Sequence, residues 1–410
     1  MQTYSDQKVS VVIPTRNRHD VLLHCLRTVV NQSHENMEIV VSDNSSTPNT
    51  RELVESMRSS RIKYVRPNKP LSMAHNFEFG ISHATGDWIA VLGDDDGLLP
   101  GGIRKALSWI VPSGQKSLCS DTGLYYWPSA VDSRMPVLQV PWRRGLEVRD
   151  AQSARQAVLL GNCDYRSLPI LYTGGLVHTS LLNRMRPDGG PVIRSQIPDV
   201  YSGFAITSVD NSFLFSHEPF AIGGLSNHST GLQTLLRFAG ALAPFHSDDL
   251  IAFHPSIPLP KAGTLTFSLE ALQFESYLQS AFLRTGEAMM NAGRQIDVIL
   301  GRLPPRYRPN LIEWVKAYAI MHGLDAQEIQ RREHSLAGHF RRQRLKSGLR
   351  NSLCHVRQFA GDSPALENIY DACVRANQML EGKISVLWSH ARYAKLLLHK
   401  KIVPKHEVQA

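Results

Sequence analysis

Trp88-Ile89-Ala90-Val91-Leu92 is followed at once by Gly93-Asp94-Asp95-Asp96-Gly97, and this is the most informative stretch of the sequence. The apolar run predicts a buried strand. The three adjacent carboxylates after it repel one another unless positive charge lies among them. Hard divalent cations prefer oxygen ligands, and Mg²⁺ commonly takes one or two carboxylates together with substrate phosphates. The stretch therefore indicates either a metal site at a strand end or a solvated acidic turn.

Upstream of this stretch, strand patterns alternate with helical patterns. The predicted strands are Val9–Ile13, Glu38–Val41, Ile62–Val65 and Asp87–Leu92, and the predicted helices cover about Val21–Val30, Thr50–Arg58 and Ser72–Ala84. Such alternation predicts an α/β fold with a mostly parallel, Rossmann-like sheet flanked by helices. Ligands of these sheets bind beyond the carboxyl ends of the strands. We therefore expect the loops Thr15–Arg18, Asp43–Ser46 and Asp94–Gly97 in one crevice.

Four ordered blocks of the chain resemble family-two inverting glycosyltransferases, which have the GT-A fold and bind nucleotide-diphosphosugars. The blocks are Val9–Arg18, Ile39–Ser46, Ala84–Ile89 and Leu92–Pro100. The resemblance covers residues 8–110 well and continues more weakly to about residue 232. Gly93 departs from the family pattern, because many members carry there the first Asp of an Asp-x-Asp triplet. Asp95 and Asp96 remain as the matching pair, and Asp94 is a substitute or a bystander.

The resemblance implies that the first two loops bind the nucleotide of a donor sugar. Asp43 would accept a hydrogen bond from an N–H of the base, which suits uracil and hence a UDP-sugar, with thymine and guanine still open. Thr15 and Arg18 would line the same pocket. An Asx-turn or a helix N-cap is the structural alternative for Asp43.

The aspartate triplet would complete the donor site. The resemblance places Asp95 on the ribose, with Asp94 beside it, and gives Asp96 the Mn²⁺ or Mg²⁺ ion that takes up the charge of the leaving diphosphate. His228, in a polar loop, is a second candidate metal ligand, and simple solvation is its alternative. His75 and Asn76 precede the metal strand and are either close to the site or ordinary helix-surface residues.

The general base should come later, as a carboxylate just before a helix on the acceptor side. Asp199 is the candidate, since it precedes an apolar helical run with Phe204 and Ile206. A helix N-cap is its structural alternative, and Asp210 is its rival. A base opposite the leaving group gives inversion, so one carboxylate suffices.

Composition sets the limits on the whole chain. A length of 410 residues favours two domains, and 42% apolar content is ample for their cores. Five scattered cysteines have no zinc-like spacing and do not indicate a disulfide framework. The N-terminus lacks a signal-peptide pattern, and no run of 18 apolar residues predicts a spanning helix. We therefore expect a cytoplasmic protein, at the inner face of the membrane if its acceptor is lipid-linked.

Beyond about residue 232 the pattern changes. We predict a catalytic domain over residues 1–232, a Pro-containing linker over 233–262 and a basic helical domain over 263–410. From Gly301 to Ala410 there are 19 Lys and Arg against 9 Asp and Glu. Three interpretations stay open for this tail: contact with anionic lipid, dimerisation through its apolar helix faces, and a solvated surface. Nucleic-acid binding is unsupported, because no recognised module accompanies the basic clusters.

The expected function is metal-dependent transfer of a sugar to a saccharide, glycolipid or protein acceptor during synthesis of a bacterial surface polysaccharide, lipopolysaccharide or glycan. A catalytically silent nucleotide-sugar-binding or scaffold protein on the same fold is the alternative. The intact set Asp43, Asp95 and Asp96 favours the enzyme. A nucleotidyltransferase would ordinarily show a Gly-rich phosphate loop after its first strand, and Pro14-Thr15-Arg16-Asn17-Arg18 is not one.

Overall fold

The computed structural model describes residues 4–128, 136–227, 229, 249–258, 268–287, 290–302, 308–325, 329, 354–359 and 366–382. The strands are β1 Val9–Thr15, β2 Met37–Asp43, β3 Ile62–Val65, β4 Trp88–Val91, β5 Gly97–Leu98, β6 Ser117–Ser120, β7 Gly123–Tyr126, β8 Pro136–Pro141, β9 Leu146–Asp150, β10 Gly175–His178, β11 Ser212–Ser216, β12 Ala221–Leu225 and β13 His355–Phe359. The α-helices are α1 His19–Val30, α2 Pro48–Ser56, α3 Met73–Ser82, α4 Gly102–Ser113, α5 Ala151–Leu159, α6 Thr179–Arg184, α7 Pro198–Val209, α8 Leu269–Gln279, α9 Ala292–Arg302, α10 Arg308–Met321 and α11 Ile369–Leu380.

The larger sheet has the strand order β3-β2-β1-β4-β10-β6-β11-β9. β10 is antiparallel to both of its neighbours and β9 is antiparallel to β11, so these two strands run against the other six. The predicted α/β fold, a mostly parallel sheet flanked by helices, is therefore confirmed. The reversal of β10 brings the loop that precedes it to the edge where the parallel strands end.

Strand β1 extends two residues further than predicted, through Pro14 to Thr15. Its pairing with β4 ends at Val12, whose carbonyl accepts from the Leu92 amide. The backbone nitrogen of Pro14 points to the same side as the Val12 carbonyl, beyond the end of β4. The missing N–H of Pro14 therefore breaks no ladder hydrogen bond, and the strand continues alongside β2.

Both faces of the larger sheet are covered by apolar helix faces. Val11 and Ile13 of β1 join a core that includes Leu22 of α1 and Ile103 of α4. Val12 lies in the opposite core, with residues of α3 and α7. This alternation is the period-two side-chain pattern of a strand that is buried on both sides.

The smaller sheet, of strand order β13-β8-β7-β12-β5, supports the aspartate triplet. β5 begins at Gly97, directly after Asp96, and pairs antiparallel with β12. The backbone of β12 therefore runs alongside the triplet, which places Gly224 and the following Ser226 beside its carboxylates.

The C-terminal region is mainly helical, as predicted, and it packs against the N-terminal region. α8 packs on α7, and α11 packs on α1 and contributes Ile369, Cys373 and Leu380 to a core shared with Val21 and Ile222. β13, which pairs with β8, is a strand that the sequence did not predict. The domain boundaries stay predictions.

The densest basic clusters of the tail lie outside the described residues; they are Arg331-Arg332, Arg341–Lys346 and Lys400-Lys401. Among the helices that the structure does describe, none is both long and apolar enough to cross a bilayer.

Candidate active site

The loops after β1 and β4 meet at the carboxyl edge of the larger sheet, as the sequence predicted. The Thr15 hydroxyl donates to Oδ2 of Asp94 at 2.8 Å, and Arg18 Nη1 donates to Oδ1 of the same carboxylate at 3.0 Å. Burial raises the pKa of Asp94, although its partner Arg18 opposes that shift. Both Asp94 oxygens are occupied by protein groups, so this residue anchors the triplet to the first loop.

Asp43 ends β2 and is fully buried in the same crevice. Oδ1 accepts from the Ser46 amide at 3.0 Å, which is the Asx-turn alternative. Oδ2 accepts from the Tyr64 hydroxyl at 2.5 Å and from Arg66 Nη1 at 3.3 Å. The N-cap alternative is wrong, because the N-cap of α2 is Thr47. The role on the base stays a prediction.

Asp95 is held by two serines that follow β12. Oδ2 accepts from the Ser226 hydroxyl at 2.7 Å and from the Ser229 hydroxyl at 2.5 Å. Trp127 Nε1 donates to the Asp95 carbonyl at 3.2 Å. The side chain is therefore fixed from the side of the smaller sheet, away from the first loop.

Asp96 accepts only neutral donors among the described residues. The Gly224 amide donates to Oδ1 at 2.6 Å, and the Gly93 amide at 3.2 Å and the Thr173 hydroxyl both donate to Oδ2. Burial, and then Asp95, raise the pKa of Asp96 to about 7. A buried carboxylate without a cationic partner is a good ligand for a cation.

Metal binding would need ligands from a substrate as well as from the protein. Within the described residues no group of three or more His, Cys, Asp or Glu could hold a metal ion. The oxygens of Asp95 and Asp96 nevertheless fit Mg²⁺ or Mn²⁺, since Mg²⁺ is usually bound by one or two carboxylates plus phosphates. His228 lies outside the described residues.

Glycine is required at two positions around the triplet. A Cβ at Gly224 would overlap the Asp95 carbonyl oxygen, because β12 approaches the triplet so closely. A Cβ at Gly93 would lie within 2.6 Å of both Asp96 Oδ2 and the Tyr172 hydroxyl. The departure from the family pattern at Gly93 thus has a physical reason: a side chain there would push the Tyr172 hydroxyl and the Asp96 carboxylate aside.

Asp199 lies in the first turn of α7, which has Ile197 as its N-cap, so the N-cap alternative is wrong. The Tyr165 hydroxyl donates to Oδ2 at 2.8 Å. Burial raises the pKa of Asp199, although the Tyr165 hydrogen bond opposes the shift. A half-buried carboxylate with a raised pKa suits a general base near neutral pH.

Tyr172 connects Asp199 with the triplet. Burial raises the pKa of the Tyr172 hydroxyl most, and the carboxylates of the triplet and of Asp199 raise it further. One phenol ring therefore lies close to the proposed donor residues and to the proposed base. Asp210 caps the other end of α7, roughly 16 Å away at 1.5 Å per residue. Burial raises the pKa of Asp210, and the Asn211 amide, Arg184 and Lys116 oppose that shift.

The two helix residues before β4 differ in their surroundings. Asn76 is buried, and Oδ1 accepts from the Ser42 hydroxyl at 2.9 Å, so it ties α3 to β2 and is not a surface residue. His75 Nδ1 lies 3.0 Å from the Asp249 carboxylate and 2.8 Å from the Ser72 hydroxyl.

Several residues of the crevice were not found from the sequence. Tyr64 and Arg66 lie at the end of β3. The strand was predicted, but no ligand role was predicted for its end. Thr173 and Tyr172 precede the antiparallel β10, and only the topology brings them here. Tyr165 lies in a short 3₁₀ helix with no motif of its own.

Residues 10–157 match the family model described as glycosyl transferase family 2. The predicted resemblance to this family is confirmed for this region. The matched range extends beyond the four blocks but ends before Asp199.

Curated relatives include a GalNAc(5)-diNAcBac-PP-undecaprenol beta-1,3-glucosyltransferase from Campylobacter jejuni, 34% identical over 24% of this chain and 33% of the relative. Another is the abequosyltransferase RfbV of Salmonella typhimurium, 32% identical over 27% of this chain and 35% of the relative. The chain therefore matches about a third of the length of these relatives.

Among solved structures, residues 1–349 of Staphylococcus aureus TarS in complex with UDP-GlcNAc show 12% identity and a TM-score of 0.48 over 88% of this chain and 99% of that one. A mannosyltransferase from Pyrobaculum calidifontis, in complex with GDP-Man and Mn²⁺, shows 16% identity and a TM-score of 0.39 over 77% and 86%.

Proposed function

We propose that the protein is a metal-dependent inverting glycosyltransferase that moves a sugar from a nucleotide-diphosphate sugar to an acceptor hydroxyl. The observation that carries the proposal is the buried pair Asp95 and Asp96 at the carboxyl edge of a family-two sheet, and Asp199 acts electrostatically on the same Tyr172 hydroxyl as this pair. A donor site and a separate base are the two parts that this reaction needs.

The nucleotide would lie across the first two loops. One wall of this site would be formed by Asp43, Thr15 and Arg18. Arg66, which pairs with Asp43, is partly exposed and can swing away from it to admit a base. Asp95 would accept from the ribose hydroxyls. A Mn²⁺ or Mg²⁺ ion held by Asp96 would supply the positive charge that neutralises the leaving diphosphate.

Asp199 would act on the acceptor. The acceptor oxygen attacks the anomeric carbon as the bond from that carbon to the diphosphate oxygen breaks, and the hydroxyl proton passes to Asp199. Oδ2 of Asp199 already accepts from Tyr165, which leaves Oδ1 for that proton. The charge of the leaving group forms on the opposite side, near Asp96, and this separation gives inversion.

The relatives support a biological setting for this transfer. One of them is named for an undecaprenol-linked acceptor and another for the transfer of abequose. We extend this to a bacterial saccharide, glycolipid or protein acceptor and to a cytoplasmic enzyme in contact with the inner face of the membrane. Membrane contact and self-association through the C-terminal helices remain part of the proposal.

A panel of nucleotide sugars tests the proposal directly. Each is incubated with the protein with and without Mn²⁺, and both binding and slow hydrolysis of the donor are measured. We expect one donor to bind in a Mn²⁺-dependent way and to be hydrolysed. Binding without hydrolysis, and without transfer to any saccharide acceptor, would instead favour the silent nucleotide-sugar-binding protein.

A further inference from the structure

The loop before β10 faces the aspartate triplet with two hydroxyl groups. The Thr173 hydroxyl donates to Oδ2 of Asp96. The hydroxyl of the preceding residue, Tyr172, reaches the space beside Gly93. β10 runs antiparallel to β4, so the start of β10 lies at the edge where β4 ends. The loop is therefore a wall of the donor crevice.

The Tyr172 hydroxyl lies close to the proposed diphosphate site. It and Asp96 Oδ2 both lie within 2.6 Å of the place that a Cβ of residue 93 would occupy, so the two oxygens are no more than about 5 Å apart. The ring is held by stacking on Phe77, with centroids 6.2 Å apart and planes at 25°. The loop itself is tightened by the Gly175 amide, which donates to the Tyr172 carbonyl at 2.8 Å.

This hydroxyl has a donor proton to spare. Within the described residues no hydrogen-bond partner of the Tyr172 hydroxyl is found, although Asp96 Oδ2 lies close to it and the ring is partly buried. Asp96 Oδ2 already accepts from the Thr173 hydroxyl and the Gly93 amide. The Tyr172 hydroxyl beside it is therefore available to donate to an anionic or polar ligand in the crevice.

We propose that the Tyr172 hydroxyl donates a hydrogen bond to the diphosphate of the bound donor, and that Gly93 is needed to make room for it. This inference rests on the proposed function. A phosphate oxygen that accepts from the phenol at about 2.7 Å lies beside the Asp96 carboxylate. It thus falls where the cation held by Asp96 would also draw the diphosphate.

The test compares Tyr172→Phe with Tyr201→Phe. Both variants keep the ring, and the Tyr201 hydroxyl, on α7, is buried and has no hydrogen-bond partner in the described part of the chain, so its loss is a matched control. The probes are UDP and uridine, each with Mn²⁺, titrated by calorimetry or by ligand-observed NMR. We expect Tyr172→Phe to weaken UDP binding by about tenfold to a hundredfold, as for a hydrogen bond to a charged group. Uridine binding should not change in either variant.

Three outcomes would decide against the inference. Equal UDP affinity in wild type and Tyr172→Phe would show that the hydroxyl does not touch the diphosphate. An equal loss for UDP and uridine, or a lowered melting temperature relative to Tyr201→Phe, would reduce Tyr172 to a packing role. A wild-type protein that binds no UDP with Mn²⁺ would overturn the proposed uridine donor site itself, which is a different failure.

Discussion

The replacement Asp96→Asn should stabilise the metal-free protein at pH 8 while it destroys the donor site. Burial, and then Asp95, raise the pKa of Asp96 to about 7, from 3.8 in an unfolded chain. Between these two values the folded state binds more protons than the unfolded state. The free energy of unfolding therefore falls as the pH rises through this window, and the full penalty is present above pH 7.

A rise of the pKa from 3.8 to about 7 corresponds to roughly 4 kcal/mol, which is the largest gain that removal of the charge can give. Asn keeps an oxygen for the Gly224 amide but presents an NH₂ group to the Gly93 amide, and one lost hydrogen bond costs about 1 kcal/mol. The charge repulsion between Asp95 and Asp96 belongs to both residues, so only part of it is relieved at Asp96. We expect a net gain on the order of 2 kcal/mol at pH 8 and a net loss of about 1 kcal/mol at pH 4, where only the lost hydrogen bond remains.

Urea unfolding without metal at pH 4, 6 and 8 measures this gain, and calorimetry with UDP and Mn²⁺ measures the loss of binding. Asp150→Asn is the control, because Asp150 caps α5, where it accepts from the Ser153 amide, and its pKa is lowered. Its contribution to stability is present at high pH and lost on acidification, which is the opposite sign. An Asp96→Asn variant less stable than wild type at pH 8 would refute the reasoning about the buried charge.

Three further predictions concern the remaining site and its support. Asp43→Ala should weaken UDP binding in calorimetry and also lower the melting temperature, because the Ser46 amide and Tyr64 lose their acceptor. An unchanged UDP affinity would mean that Asp43 only stabilises the Asx-turn. Asp199→Asn should reduce transfer by about 10²–10⁴-fold with donor binding retained. Asp210→Asn, at the far end of α7, should stay active in the same assay. The reverse result would assign the general base to Asp210. Deletion of residues 354–410 should prevent stable folding, as judged by circular dichroism, because the loss of Ile369, Met379 and Leu380 from their core costs about 5–9 kcal/mol; a deletion variant that melts like wild type would show that α11 is dispensable.

The sequence predicted the half of the site that is local in the chain. Strand ends are read from short apolar runs, and polar residues directly after them must lie at one edge of a parallel sheet. Thr15, Arg18 and Asp94 were therefore placed together correctly. Asn76 was harder, because a polar residue in a helix gives no sign that it is buried against Ser42.

The other half of the site depends on topology, which periodicity does not contain. β10 was not predicted, and its reversed direction is what brings Tyr172 and Thr173 to the crevice. β13 was missed because His355 and Arg357 interrupt its apolar pattern, yet Arg357 is buried. Such residues become visible only when the pairing of strands is known.

The residues that support the aspartate triplet connect the local half of the site with the half that depends on topology. A Cβ at Gly97 would lie within about 3 Å of Cys373 Sγ and Ile369 on α11 and of Thr28 on α1, so the residue after Asp96 is packed from behind by a helix that begins 272 positions later in the chain. In front, the Gly224 amide fixes the Asp96 carboxylate. The triplet is thus held between two late segments, and its geometry requires that both fold. A basic C-terminal region that only touched a membrane would not be built into the core in this way, so at least its α11 belongs to the structure of the donor site.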